Sequence, residues 1–390
     1  MSSEPPAGDD APDASGARSP PLADLRGRLA AKDREIIRAI RDRMAIVREV
    51  ARIKGERRIA PFDREREGLH IDDLAKEGEK EGLSPSLTRD VFGTLFSASR
   101  RLQRDRLLED RDAFTIGVVG GTLGMGAFLA GVFERGGYAV ETMGLDRGAP
   151  AEEVAARHDL VIVAVPIAAT LETIARIGPH VRRGACLSDV TSLKTDPVKA
   201  MLAAAPEGVD VVGAHPMFGP SGEDLDRQKV VLCGARGATW LPRVRRLYEL
   251  FGAECIDATP EEHDAQMAFI QVLVHEKTMV LGSVLERLGP DLSRSLQFAS
   301  PIYKTELAMV GRMFSQGADL YADILTQNAD SARLSHVFEQ EAAFFARAVA
   351  MKDRDTVVRR FRQVAAFMTD FAAWARRQSD GILADLVRHG

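Results

Sequence analysis

The sequence predicts a multidomain chain: an all-α helical domain, then a Rossmann-like α/β domain, then an all-α C-terminal domain. Three observations carry this. A helical period is held from Leu22 for about thirty residues. From Phe114 short apolar β-type runs alternate with helical stretches. From Pro260 onward the strand signals stop and helical spacing takes over. A length of 390 residues also exceeds one ordinary domain.

Residues 1–21 are rich in Pro, Ala, Ser, Gly and Asp and read as a disordered tail. They lack the basic start and apolar core of a secretory signal. The helical domain is placed at 22–110. Leu22, Leu25, Leu29, Ile36, Ile40, Val47 and Ala51 recur at spacings of three, four and seven, a pattern that suits a long bundle or dimer helix. Gly55 and Pro61 end it. Two further helical stretches, near 64–80 and 85–110, are separated by Gly82 and Pro85.

The α/β domain is placed at 113–258. Its strand-like runs are 114–119, 138–143, 159–165, 185–190, 209–213, 229–233 and 253–256. Short buried strands alternating with helices predict a parallel sheet covered on both faces. The last domain, 259–390, shows helical spacing in Leu281, Val284, Leu285 and Leu288, and again in Phe361, Val364, Phe367, Met368 and Phe371.

Apolar residues form 45% of the chain, enough for real cores. Asp and Glu outnumber Lys and Arg by 57 to 52, which argues against general nucleic-acid binding. The longest apolar run, 160–169, is interrupted by Pro166 and is too short to span a membrane, so no membrane segment is expected. The three cysteines are widely spaced with no CxxC pair. They predict neither a disulfide framework nor a metal site, and suit a reducing, cytoplasmic setting.

Residues 114–126 read FTIGVVGGTLGMG: a buried strand, glycines, then a helix. That is the context of a dinucleotide site, in which backbone N–H groups at the helix start hold a pyrophosphate. Gly120, Gly121, Gly124 and Gly126 are the candidate cofactor residues. With Gly121 and Gly126 as the outer glycines of GxGxxG, the middle position is Leu123. The acid expected after the second strand is displaced: Gly144 stands there, with Asp146 and Arg147 following. Asp146 favours a free ribose hydroxyl and Arg147 a 2′-phosphate, so NAD and NADP both stay open. A glycine-rich turn needed only for strand–helix packing is the alternative reading.

Arg43 follows Ile36 by seven residues and Lys54 follows Val47 by seven. Both cations thus lie on or beside the apolar stripe of the first helix. A buried cation calls for an anion; snorkelling at a helix edge is the other reading.

Three segments are more specific: HPMFGP at 215–220, EHDAQMAFIQ at 262–271 and PIYKTELAMVGR at 301–312. In this order, behind a nucleotide motif, they make residues 114–390 resemble prephenate dehydrogenase. Residues 22–110 resemble the all-helical class of chorismate mutase. The whole chain except the tail resembles the bifunctional chorismate mutase/prephenate dehydrogenase family of tyrosine biosynthesis.

The resemblance implies two activities: chorismate rearranges to prephenate, and prephenate is oxidatively decarboxylated to 4-hydroxyphenylpyruvate with NAD(P). For the mutase it implies Arg26 and Arg43 as carboxylate binders and Lys54 and Gln103 at the ether oxygen. Arg64 and Glu65 hold the substrate hydroxyl, and Ser99 assists at a carboxylate. A pericyclic rearrangement of a dianion needs no nucleophile; it needs a compact conformer and stabilised charge on the ether oxygen.

For the dehydrogenase the resemblance implies His215 as the base taking the ring hydroxyl proton, work that suits imidazole. Ser192 and Lys194, in DVTSLK, fall beside nicotinamide and substrate. Arg312 binds a prephenate carboxylate through its guanidinium fork. His263, His275 and Lys304 match further pocket positions, and a core or interface role stands beside substrate contact for the two histidines. Gln271 and Tyr303 receive no role. The implied partners are chorismate, prephenate and a second copy of the chain in a homodimer, with neither nucleic acid nor membrane. Two rivals stay open: an arogenate-preferring dehydrogenase with a vestigial mutase, and N-terminal helices that serve only to dimerise.

Overall fold

The structure, a computed structural model, describes residues 22–56, 64–109, 111–144, 148–222 and 224–389. It divides into two compact units, Met1–Asp110 and Arg111–Gly390.

In the first unit α1 spans Leu22–Glu56, α2 Arg64–Lys80 and α3 Pro85–Glu109. The 35 residues of α1 make a rod about 50 Å long at 1.5 Å per residue. Both α1 and α2 pack on α3. Gly78 permits the α2–α3 approach, since a Cβ there would stand 2.4 Å from Thr88 Oγ1. Gly82 turns the chain with φ +78° and Pro85 opens α3. The core is small: Val47, Ala51, Ala75, Phe96 and Leu107 are its buried apolar residues. It covers only the C-terminal half of the α1 stripe, because Leu22, Leu29 and Ile36 stay exposed.

The second unit is built on a seven-stranded sheet: β1 Thr115–Val119, β2 Ala139–Met143, β3 Leu160–Val163, β4 Cys186–Asp189, β5 Asp210–Pro216, β6 Lys229–Arg236 and β7 Glu254–Asp257. The order is β2-β1-β3-β4-β5-β6-β7. Pairing is parallel throughout except that β6 runs antiparallel to β5. The parallel sheet expected from the sequence is present, with β6 and β7 running opposite to the other five strands. Among the described residues the link from β5 to β6 holds no helix, and the chain returns antiparallel.

Five helices cover the sheet: α4 Gly124–Arg135, α5 Ala151–Arg157, α6 Ile167–Ile177, α7 Thr195–Ala204 and α8 Trp240–Leu250. One core lies between sheet and helices, with Val154, Val161, Ile174, Ile177, Leu187, Met201 and Val211 among its fully buried members. Because β1, β3, β4 and β5 are parallel, their carboxyl ends share one edge. The glycine turn after β1, residues 190–194 after β4, and His215 on β5 all lie there. Strand order reverses between β1 and β3, which is where open α/β sheets bind ligands.

The remaining helices are α9 Pro260–Met267, a π-helical segment Ala268–Leu273, α10 Val274–Leu288, α11 Leu292–Gln297, α12 Pro301–Phe314, α13 Ala318–Gln327, α14 Ser331–Ala350, α15 Arg354–Phe367 and α16 Thr369–His389. Helix starts are chemically marked. Thr259 and Ser300 cap α9 and α12 through their hydroxyls, each followed by Pro at the first helical position. Ile167, Ala268, Val272, Ile324 and Leu334 form a second apolar cluster, which joins the start of α6 to the helical region.

The continuous helix Pro260–Leu288 is long and apolar enough, by length and composition, to cross a membrane. It holds no long unbroken apolar run, because polar residues such as His263, Asp264, His275, Glu276 and Lys277 interrupt it. His263 is buried among polar partners and Ala268 and Val272 lie in the second cluster, so part of its apolar surface packs inside the unit.

Candidate active sites

In the first unit Arg43 leaves α1 and reaches α3. Its Nη1 donates to Ser99 Oγ at 2.5 Å, and Ser99 Oγ donates to Leu95 O at 2.6 Å. The guanidinium lies 5.0 Å from the Phe96 ring centroid. Burial lowers the Arg43 pKa, and the charge of Glu67 opposes that shift. Glu67, on α2, accepts from Arg100 Nη1 at 2.6 Å.

Four residues apart on α3, Ser99 and Gln103 share a face and are both buried. Gln103 Oε1 has no partner among the described residues, so nothing in the described protein holds the amide in this orientation, and turned over it presents its N–H to a ligand acceptor at the same position. Lys54 is half-buried in the last turn of α1. Three cations, a hydroxyl, an amide and a carboxylate thus stand along the three helices, a set suited to an anion bearing hydroxyl and ether oxygens.

Arg26 does not join them within one chain. It lies exposed in the uncovered half of α1, seventeen residues before Arg43, or about 25 Å along the helix axis. Arg64 and Glu65 open α2, and their side chains lie outside the described residues.

In the second unit the polar centre sits at the end of β5. His215 is 3% exposed, and its Nδ1 lies 2.7 Å from His263 Nε2. His263 Nδ1 in turn lies 2.7 Å from Asp264 Oδ1. Asp264 also accepts from the backbone N–H groups of Lys194 and Thr195, at 2.8 and 2.9 Å, and so tethers the start of α7. Burial alone would raise the Asp264 carboxyl, but hydrogen bonds from His263, Thr195 and Lys194 hold it at about 2. Burial pushes the His215 pKa well below the ordinary imidazole value, and His263 and the Lys194 charge push it further. His215 is therefore a neutral imidazole near pH 7.

Lys194 is wholly buried, and its ammonium pairs with Asp189, also wholly buried. Its charge is engaged inside the protein by that carboxylate and also acts on His215 through space. Asp189 Oδ1 has no partner among the described residues, and burial raises the Asp189 pKa despite Lys194. Ser192 is half-buried in the same segment.

Arg312, on α12, lies against the HPMFGP segment: a Cβ on Gly219 would be 3.4 Å from its Nη2. Its charge acts on Tyr321, and the His275 ring meets Tyr321 edge-on at 5.0 Å. Lys304, in the first turn of α12, is half-exposed. The π segment explains how His263 and His275 serve one side of their helix. Twelve residues make about 3.3 turns of α-helix, which would leave them a third of a turn apart. A π turn absorbs an extra residue, which brings them close to register.

The glycine turn fits a dinucleotide phosphate. Gly120 has φ +88°, and a Cβ there would meet Ala164 O at 2.6 Å. A Cβ on Gly126 would meet Gly120 O at 2.3 Å, so α4 packs on the turn only with glycine there. Gly121 is equally confined, by Thr142 and Val118 O, whereas Gly124 is open with φ +55°. Leu123, at the N-cap of α4, is 80% exposed and offers no side-chain cap, so the N–H groups of the first turn remain for an anion. At Gly144 a Cβ would stand 2.1 Å from Thr122 Oγ1, so Thr122 occupies the space an acid at the end of β2 would need. Asp146 lies outside the described residues.

Comparison with known proteins matches this arrangement region by region. The family profile for chorismate mutase type II matches residues 25–104. The nucleotide-binding domain of prephenate dehydrogenase matches 138–257, and its dimerization domain 259–363. The T-protein of Haemophilus influenzae is 31% identical over 375 residues, 93% of this chain and 96% of that protein. The chain belongs to the T-protein family. It is a bifunctional enzyme, a chorismate mutase joined to a prephenate dehydrogenase.

A second family member, the T-protein of Enterobacter agglomerans, is 31% identical over 90% of this chain and 94% of its own. A probable arogenate/prephenate dehydrogenase of Methanocaldococcus jannaschii is 36% identical over 64% of this chain and 60% of its own. Among solved structures, the prephenate dehydrogenase of A. aeolicus in complex with hydroxyphenyl propionate and NAD+ matches with a TM-score of 0.52 at 18% identity. It covers 67% of this chain and 99% of its own. That likeness shows the fold.

Several residues at these two T-protein sites escaped the sequence reading. Glu67 lies two residues beyond Glu65 in a run of alternating Arg and Glu, where sequence alone cannot tell which acid turns inward. Asp264 sits beside His263 in a motif already singled out, and an acid next to a histidine was the available signal. Asp189 opens the DVTSLK segment already singled out, an acid five residues before a lysine, whereas Tyr321 carried no pattern of its own.

Proposed function

We propose that the two sites act in succession, on chorismate and then on prephenate with NAD. The observation that carries the second step is the buried, neutral His215 at the carboxyl edge of the sheet, the edge that also carries the phosphate-binding turn, with the Arg312 guanidinium against Gly219 of the same HPMFGP segment. His215 Nε2 accepts the proton of the ring hydroxyl as hydride leaves the carbinol carbon. The ring carboxylate departs as carbon dioxide, and its bonding pair makes the ring aromatic. The proton returns to oxygen as the phenol forms. When bound, NAD would supply the hydride acceptor; Gly120, Gly121, Gly124 and Gly126 would hold its pyrophosphate, and Asp146 is the candidate for its ribose. The NAD-complexed A. aeolicus enzyme of like fold supports this choice of cofactor. Arg312 binds a substrate carboxylate, with His275, Lys304 and Ser192 in the same pocket, while Lys194 acts through its field on His215.

In the mutase Arg43 and Ser99 bind a carboxylate, and Lys54 and Gln103 meet the ether oxygen. Glu67 joins the pair Arg64 and Glu65 as a candidate for the substrate hydroxyl, supported by its contact with Arg100 and its charge at Arg43. The partner's Arg26 completes the site in a homodimer. The exposed stripes of α1 and α15, with the dimerization domain at 259–363, support that assembly. The free cysteines Cys186, Cys233 and Cys255 agree with a cytoplasmic setting.

The test is His215→Asn in the full chain. Dehydrogenase activity should fall by about 10²–10⁴, the usual worth of general-base help, while mutase activity stays. Dehydrogenase activity kept within a few-fold would remove His215 from this role.

A further inference from the structure

His215, His263 and Asp264 form a continuous line of polar contacts in which each group constrains the next. Asp264 is ionised, and a carboxylate only accepts hydrogen bonds. His263 Nδ1, 2.7 Å from Asp264 Oδ1, must therefore carry a proton. In a neutral His263 the other nitrogen, Nε2, is then a bare acceptor. It lies 2.7 Å from His215 Nδ1, which must carry a proton to bond to it. His215 is neutral, so its Nε2 is left bare. Nε2 has no partner among the described residues. We propose that Asp264 and His263 are positioning residues that fix the tautomer of His215, so that Nε2 presents its lone pair to the substrate hydroxyl. The proposal rests on His215 being the base.

Two features make the line rigid. His263 is 2% exposed and meets the His215 ring edge-on at 5.0 Å between centroids, so both rings are enclosed by protein and by each other. Asp264 is held from three sides: by the N–H groups of Lys194 and Thr195 and, through its backbone carbonyl, by Asn328 Nδ2 at 2.9 Å. The start of α7 and the base are therefore anchored on one carboxylate. Once His215 takes the hydroxyl proton, its charge is shared through Nδ1–H and His263 toward Asp264, which stabilises the imidazolium at the moment it forms.

An amide at position 264 can reverse the line. If the side chain introduced by Asp264→Asn turns its N–H to His263 Nδ1, His263 Nε2–H then donates to His215 Nδ1, and the proton of His215 moves to Nε2. The base is then blocked without any change in packing. In a serine–histidine–aspartate triad the same exchange leaves geometry intact and removes most of the rate.

The experiment uses the full chain, with NAD binding and circular dichroism reporting intact folding of the substituted dehydrogenase unit and mutase activity reporting the other unit. Asp264→Asn should lower dehydrogenase kcat by about 10²–10⁴, with the prephenate KM within about threefold. His263→Ala removes the mediator. If Asp264 acts through His263, the double variant His263→Ala/Asp264→Asn is no slower than His263→Ala alone, within about threefold. If Asp264 only anchors α7, the two losses multiply, and that result overturns the proposal. Nitrogen-15 spectra of labelled histidine give a second readout: His215 carries its proton on Nδ1 in the unsubstituted chain and on Nε2 in Asp264→Asn. A proton on Nε2 of His215 in the unsubstituted neutral chain also overturns it. Loss of activity in His215→Asn together with multiplicative losses at 263 and 264 would reject the relay and keep the base. Activity retained in His215→Asn would reject the base itself.

Discussion

Arg26 and Arg43 project from one helix about 25 Å apart, so a site that needs both must draw them from two molecules. In a two-fold dimer each site then takes Arg43 from one chain and Arg26 from the other. Arg26→Ala and Arg43→Ala should each abolish mutase activity in a homodimer. A heterodimer of the two variants places both substitutions in one site and leaves the other intact. Isolated through two different affinity tags, it should show about half the wild-type mutase activity per dimer. An inactive heterodimer would show that each chain builds its own site.

The Asp189–Lys194 pair separates field from contact. Lys194→Met leaves a wholly buried carboxylate without its cation and should cost about 3–5 kcal/mol of stability. Asp189→Leu/Lys194→Met removes both charges and should recover most of that loss. The Lys194 charge helps depress the His215 pKa, so in the double variant the acid limb of dehydrogenase kcat/KM should move to higher pH. A lost prephenate KM with an unmoved acid limb would return Lys194 to direct contact with substrate.

Acid sensitivity follows from the histidines. Burial holds the folded pKa of both His215 and His275 below the value near 6.5 that they take when unfolded. Below about pH 6.5 the unfolded chain therefore binds protons that the folded chain refuses, and stability present above that pH is lost as pH falls toward the folded values. Asp264, at about 2 when folded, adds a second loss, beginning below its ordinary carboxyl value and complete below about 2. The groups facing His215 are His263, Lys194 and Asp264; Asp189, raised by burial, works in the opposite sense. Denaturant midpoints of the dehydrogenase unit should fall between pH 7.5 and pH 5.5, and less steeply in His215→Asn. Equal slopes in the two proteins would mean that His215 is not the group being protonated.

The three regions and seven strands were legible because each buried strand is a short apolar run with turn residues on both sides. Strand direction was not legible. The run at 229–233 reads the same whether the preceding link holds a helix or a loop, and only the absence of a crossover turns β6 antiparallel. The π segment was equally hidden, since AFIQVL carries no sign of the extra residue that brings His275 toward the face of His263. His215 was found through its motif, but the two groups that orient it are joined by contact rather than by spacing. The Lys194–Asp189 pair was hidden because sequence gives the position of the Lys194 Cα and not of its Nζ, which Asp189, five residues earlier, holds.

The state of Gln103 predicts how the mutase responds to pH. Its amide is buried on the face of α3 that carries Ser99, and its oxygen has no partner among the described residues. An amide donates through its nitrogen at any pH and adds no charge beside a dianionic substrate. Mutase kcat/KM should therefore stay flat from mildly acidic to mildly alkaline pH. A glutamate at 103 would donate to the ether oxygen only when protonated. Burial, and the Glu67 carboxylate on the neighbouring α2, would both raise its pKa, whereas Arg43 and Arg100 would lower it. Gln103→Glu should keep activity at acidic pH and lose it as pH rises through that pKa. Gln103→Ala should be slower at every pH, by about the 10–100-fold that one hydrogen bond to developing charge is worth. The dehydrogenase profile, set partly by His215, should be the same in all three proteins. A wild-type mutase profile that already falls like that of Gln103→Glu would mean that another group at the site titrates, and Gln103 would lose its place at the ether oxygen.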